Sequence, residues 1–265
     1  ISLRENTLFI RVSETPIISK INIDGNKLVE ADQILSSLKS VGISQSKPYS
    51  KNLIDKVEQE LTRLYYDNGR YSSSIKIIGK NLDDNLVEIF VEIDEGEAST
   101  IKDIKIIGNK NFSNRQLMSI INSGPKYWFE VWSDKDIYNN TQLDQDVEAI
   151  IAYYQDRGYA KIRLVSKQVN LSPDKKDIYI TISISEGNLY QFGKITAYGL
   201  DDFDSTVFKN LLDINLRPGS SFSRSKLENT KENIKYVLGE KGYAFPEINY
   251  GVSFNDSTSQ VDINF

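Results

Sequence analysis

The chain has no cysteine and no histidine among its 265 residues, and only one methionine. Without cysteine there are no disulfides and no thiol chemistry, although a protein of an oxidising compartment can dispense with bridges when its cores suffice. Without histidine there is no Ser-His-Asp or Cys-His triad, no imidazole general base and little prospect of a zinc site. Most hydrolase mechanisms go with it. No run of about 18 apolar residues exists, so no segment reads as a membrane-spanning helix. Basic residues are outnumbered, 32 against 37 acidic for a net charge of −5. They nowhere cluster densely enough to neutralise a phosphate backbone, which argues against nucleic acid as a partner. The chain opens on Ile1 with neither a methionine nor the apolar core of a signal peptide, so it is expected to be part of something longer.

What is present is a repeat. An apolar strand ends in a Gly-bearing turn, a long amphipathic helix ends in Gly with Tyr just after, and an alternating strand ends in Glu-Gly. The copies run Gly25/Gly69/Glu95-Gly96, Gly108/Gly158/Glu186-Gly187 and Gly199/Gly242, with turn glycines 83 and 91 residues apart (108 − 25, 199 − 108). Self-similarity at such a period indicates an array of small units, and an array points to a scaffold before it points to an enzyme.

Within each unit the periodicities assign the elements. Ile21 and Ile23, Ile104 and Ile106, and Ile195 and Ala197 keep the period of two of a half-buried first strand. Ser113, ahead of Leu117, Ile120 and Ile121, is a plausible N-cap for a short helix. Ile54, Leu61, Leu64 and Tyr65 share one helical stripe, as do Leu143, Ile150, Tyr153 and Tyr154, and then Leu227, Ile234, Val237 and Leu238. Gly69, Gly158 and Gly242 suit the left-handed position that closes a helix. The last strand alternates most cleanly: Ile89, Val91, Ile93; Ile180, Ile182, Ile184; Val261, Ile263, Phe265. The expected fold class is α+β, each unit β-α-α-β-β with a three-stranded mixed sheet covered by two helices. The units are expected at 16–97, 98–188 and 189–265, the last truncated, with 1–15 the closing strand of a preceding copy because Leu8, Ile10 and Val12 align with Ile89, Val91 and Ile93.

Several stretches in this order resemble the POTRA (polypeptide-transport-associated) domains of the BamA-type bacterial outer-membrane protein assembly factors. They are Val12-Ser13-Glu14-Thr15-Pro16, Tyr65 to Ser72 around Asn68-Gly69-Arg70, Tyr153 to Ala160 around Arg157-Gly158-Tyr159, Leu171 to Lys176 around Ser172-Pro173-Asp174, and Tyr243-Ala244-Phe245-Pro246. The register looks like the tail of a first domain, then a second, a third and most of a fourth. The resemblance implies a periplasmic array of a Gram-negative outer-membrane protein, anchored by a C-terminal membrane β-barrel absent here. Its implied partners are unfolded outer-membrane proteins, a BamB-type lipoprotein propeller and other assembly-machine lipoproteins. No catalytic residue, cofactor or metal is expected. The POTRA array of another barrel-linked translocator, TamA-like or of two-partner secretion, is the alternative, and a carboxylate-based hydrolase the remote one.

If the closing strand is central, the strand after the Gly-Tyr corner is an edge, where a guest strand can pair through main-chain bonds largely regardless of its sequence. The candidate client-pairing positions are Tyr71, Ile75 and Ile77, then Ile162 and Leu164, then Ile248, Tyr250 and Val252. In the second unit the apolar parity flips between Leu164 and Val169, which predicts a β-bulge near Ser166, Lys167 and Gln168. Val169 and Leu171 would then project away from the core; the resemblance implies that they meet the BamB-type propeller, unless they simply pack under the hairpin. The insert Tyr127 to Trp132 carries both tryptophans and is either a partner-binding aromatic surface, with Trp128 and Trp132, or a cover over the open end of the helix pair.

Overall fold

The clean alternation of each closing strand comes from its place in the middle of a sheet. The computed structural model describes residues 2–4, 7–9, 14–127, 130, 132–199, 212 and 216–265. In the first module β3 (Ile17–Asp24), α1 (Ala31–Ser40), α2 (Lys51–Asp67), β4 (Ser74–Leu82) and β5 (Leu86–Asp94) follow in order, and the sheet runs β3-β5-β4. The second has β6 (Thr100–Ile107), α3 (Asn114–Met118), α4 (Asn140–Gln155), β7 (Arg163–Leu171) and β8 (Asp177–Ser185), in sheet order β6-β8-β7. The third has β9 (Gln191–Thr196), α5 (Arg224–Glu240), β10 (Gly251–Asn255) and β11 (Gln260–Asn264), in order β10-β11-β9; the first helix expected of it falls where 200–211 and 213–215 lie outside the described residues. The first strand is parallel to the central one and the second antiparallel, as in β3/β5 and β4/β5, so each sheet is mixed. Ahead of these, β1 (Ser2–Arg4) and β2 (Thr7–Phe9) make an antiparallel pair with Ser2 opposite Phe9, while Ile10 and Val12 fall outside the described residues.

The chain divides into two compact units, one of residues 1–100 with 137–140 and 171–178, the other of the remainder. In the first, Val87, Ile89, Val91 and Ile93 of β5 are buried with Ile54, Leu61 and Tyr65 of α2 and Ile34 and Leu38 of α1. Burying one such aliphatic side chain is worth about 1.5–3 kcal/mol. In the second unit Ile180, Ile182 and Ile184 of β8 and Leu143, Ile150 and Tyr154 of α4 are buried likewise, and Val261 and Ile263 of β11 join Phe192 and Leu227. The helical stripes thus face the sheets. Ser113 caps α3 through a reciprocal pair, its Oγ accepting from Gln116 N at 3.3 Å and its own N donating to Gln116 Oε1 at 2.9 Å.

Two devices fix how the chain turns after β3 and after β6. Gly25 and Gly108 hold φ of +86° and +92°, and a Cβ there would lie 1.8 Å from the Ile93 carbonyl oxygen and 2.1 Å from that of Ile184. Only glycine tolerates both the left-handed backbone and that approach. The second device is the glutamate that ends the closing strand. Glu95 Oε1 accepts from Lys27 N at 2.6 Å, Leu28 N at 2.7 Å and the Tyr65 hydroxyl at 3.2 Å. Glu186 Oε1 accepts from Lys110 N at 2.8 Å, Asn111 N at 2.9 Å and the Tyr154 hydroxyl at 2.8 Å, and its Oε2 from Asn111 Nδ2 at 2.6 Å. Burial pushes both carboxyls up, but the converging donors outweigh it and hold both below the ordinary glutamate value. Burial and the facing carboxylate raise the hydroxyls of Tyr65 and Tyr154.

Candidate strand-docking edges

Each three-stranded sheet has two outer strands, and the chain treats them differently. The outer side of the first strand is partly taken by the loop between the helices. Ile18 N donates to Lys47 O at 2.9 Å and Ser46 N to Ile18 O at 2.8 Å; Ile101 N donates to Asp136 O at 2.6 Å; Phe192 N donates to Ser220 O at 2.8 Å and Gly219 N to Phe192 O at 2.7 Å. Isolated bridges at Ile17/Pro48, Thr100/Ile137 and Gln191/Ser221 mark the same contact in all three modules. The second strand has no such cover: among the described residues, no backbone group outside its own sheet bonds to β4, β7 or β10. Its outer N–H and C=O groups are left to solvent, the condition for strand addition. At about 3.4 Å per residue, nine-residue β4 and β7 each offer an edge about 30 Å long, and five-residue β10 about half that.

The predicted pairing positions are only partly on these edges. Ile75 and Ile77 stand on β4, Leu164 on β7 and Val252 on β10, with Ile75 buried and the exposure of the others rising to that of Val252. Tyr71, Ile162, Ile248 and Tyr250 do not belong to strands. Tyr71 sits in the turn closed by Ser73 N donating to Arg70 O at 3.1 Å, and Ile162 is held by its N–H to Tyr159 O at 3.1 Å, so the corner after each glycine turns before the strand begins. Ile162 is buried, and Tyr250 is half-buried with its hydroxyl on Glu228. Burial and that carboxylate push the Tyr250 hydroxyl up to about 12.

In β7, burial changes parity across Ser166 and Lys167, where an extra residue was expected. The side-chain consequence differs from expectation. Val169 and Leu171 are half-buried while Gln168 and Asn170 are exposed, and Lys167, on their parity, pairs with Asp144 of α4. Both residues therefore lie on the helix side of the strand rather than projecting away from the core. Trp132 is 98% exposed, so it covers no helix end; Trp128 lies outside the described residues.

The cation pair Lys76 and Lys80 on β4 was missed by sequence reasoning. Their alternation with Ile75 and Ile77 was visible, but not that they share an outer strand. The glutamate clamps were read only as strand exits; the spacings of 30 and 32 residues from Tyr65 to Glu95 and from Tyr154 to Glu186 were the available signal.

Three successive small α+β modules, each with a mixed sheet whose antiparallel edge strand pairs with no further strand among the described residues, define a tandem-repeat protein. The family model described as POTRA, Surface antigen variable number repeat, matches residues 16–96, 99–187 and 190–265, and the chain belongs to that family. It is 28% identical over 262 residues to the outer membrane protein assembly factor BamA of Neisseria meningitidis, covering 97% of this chain and 32% of that protein. It is 27% identical over 266 residues to BamA of Buchnera aphidicola, covering all of this chain and 43% of that protein. The chain thus spans between about a third and under a half of the length of these relatives. Among solved structures, POTRA domains 3–5 of Haemophilus influenzae BamA superpose with a TM-score of 0.54 at 17% identity, covering 97% of this chain and 98% of that one. That is a likeness of fold and does not number the modules.

Proposed function

We propose that this chain is a non-enzymatic periplasmic scaffold of the outer-membrane β-barrel assembly machinery, which takes up unfolded outer-membrane proteins by strand addition and docks accessory lipoproteins. One observation carries the reading: in every module the first strand's outer side is partly closed by the chain itself, while among the described residues nothing closes the second strand's. Main-chain pairing at β4, β7 and β10 asks little of the guest's sequence beyond extended backbone, which suits clients destined to become barrel strands. The relatives' name, outer membrane protein assembly factor, supports the setting. The test is backbone-amide NMR of this chain during titration with a peptide from a barrel strand. Shifts confined to 74–82, 163–171 and 251–255 are expected; shifts confined to α2, α4 and α5 would replace pairing with a helix groove.

We infer that lipoprotein docking uses β7 around Val169 and Leu171, both half-buried on the helix side of the strand. Val169→Glu with Leu171→Glu should abolish co-purification of a BamB-type lipoprotein. Retained co-purification by a variant that keeps its thermal midpoint removes these residues from the interface.

A further inference from the structure

The open edge of the first module is not chemically neutral. In β4 the face away from the core carries Lys76, Ile78 and Lys80 at its centre, between Ser74 and Leu82, all exposed, with Ile78 at 47%. The register sets Lys76 opposite Glu92, Ile78 opposite Phe90 and Lys80 opposite Glu88 on the central strand β5. Glu88 already accepts the Asn22 amide of β3 at 2.7 Å. Among the described residues, neither Lys76 nor Lys80 makes an ion pair or a side-chain hydrogen bond. An acidic, apolar, acidic row on β5 is therefore followed by a basic, apolar, basic row on β4, and no strand among the described residues pairs with the outer flank of that second row.

We infer that β4 is a charge-selective docking edge, whose guest is an extended segment carrying acidic, apolar and acidic side chains at positions i, i+2 and i+4 on one face. This deepens the strand-addition reading above and rests on it. A strand added to β4 brings one face of the guest against Lys76, Ile78 and Lys80 directly, where opposite charges across strands attract and like charges repel. The required pattern is symmetric, so it is met whether the guest runs parallel or antiparallel to β4. The third module provides the contrast. On β10 the residues alternating with Val252 and Phe254 are Gly251, Ser253 and Asn255, none of them charged, so that edge pairs without regard to guest charge. Edge lysines also keep sheets from pairing with one another, and that service alone would give no preference for an acidic guest over a neutral one.

The experiment titrates the chain with three seven-residue peptides, Thr-Glu-Thr-Val-Thr-Glu-Thr, its Lys-for-Glu counterpart and its Gln-for-Glu counterpart, followed by backbone-amide NMR at about 20 mM and about 300 mM salt. At low salt the acidic peptide should shift the amides of 74–82 with a Kd about tenfold below that of the lysine peptide, a few-fold for each of two cross-strand pairs. The gap should narrow at high salt. Lys76→Gln with Lys80→Gln, exposed and conservative, should erase it, while the amides of 251–255 respond equally to all three peptides. Equal affinity of all three at 74–82 overturns the charge selection and leaves strand addition standing, with the lysines as guards only. Absence of shifts at both 74–82 and 251–255 overturns strand addition itself.

Discussion

Replacing Glu186 by Gln changes one oxygen to nitrogen at a site where four donors converge on a carboxylate only 6% exposed. The glutamine oxygen keeps the bonds from Lys110 N, Asn111 N and the Tyr154 hydroxyl, but as neutral bonds. Its Nε2 meets the Asn111 amide, which must turn over to accept. A hydrogen bond to a charged group contributes about 1.5–3 kcal/mol net against about 1 for a neutral one. Three weakened bonds sharing one acceptor are not additive, and the loss comes to about 2 kcal/mol. Glu186→Ala, which strands all four donors, should cost more. The three modules need not unfold together, so the measurement is hydrogen exchange resolved over 104–112 and 178–186 rather than a global midpoint. The same carboxylate sets an acid limb. Its value is depressed in the fold, so its stabilisation is full above the ordinary 4.5 and is lost as pH falls through the lowered value; Glu186→Gln should flatten that limb. A loss under about 0.5 kcal/mol at neutral pH, or an unchanged acid limb, would refute the clamp.

Gly108→Ala should destabilise the second module by about 3 kcal/mol or more, combining about 1–2 kcal/mol for a left-handed φ with displacement of the Ile184 carbonyl from a 2.1 Å approach. Gly242→Ala, with φ +98° but nothing within 4 Å, should show only the backbone part; equal losses at the two sites would discount the close contact. In a Trp128→Phe variant the remaining Trp132, 98% exposed, should emit as a solvent-bathed indole and be quenched freely by acrylamide. Blue-shifted, protected emission would instead restore the covering role.

The repeat, the mixed three-stranded sheet and the helical stripes were legible because they are local patterns. Ile89, Val91 and Ile93 alternate whether or not their neighbours are known, and Ile54, Leu61 and Tyr65 share a stripe by spacing alone. Half of the candidate site was legible for the same reason. That β5, β8 and β11 are central follows from their continuous alternation, and it leaves β4, β7 and β10 outside. Strand starts were less so: Tyr71 and Ile162 carry strand-like residues into turns held by hydrogen bonds three residues back, which parity does not reveal. The side of β7 that Val169 and Leu171 occupy was misread because a bulge restores parity as readily as it breaks it, and only Lys167 reaching Asp144 orients the strand.

By itself the amino-acid order determined the modules, their strands and helices, and the exclusion of thiol and imidazole chemistry, since these rest on residue inventory and on contacts within a turn or two. Only the tertiary structure decided which edge the helix loop closes, that the exit glutamates clamp turns 67 to 76 residues away, and that two lysines line a flank with no strand partner among the described residues. Those outcomes depend on pairs of segments far apart in the chain, whose meeting is set by the packing of the whole module and leaves no periodic trace in either segment.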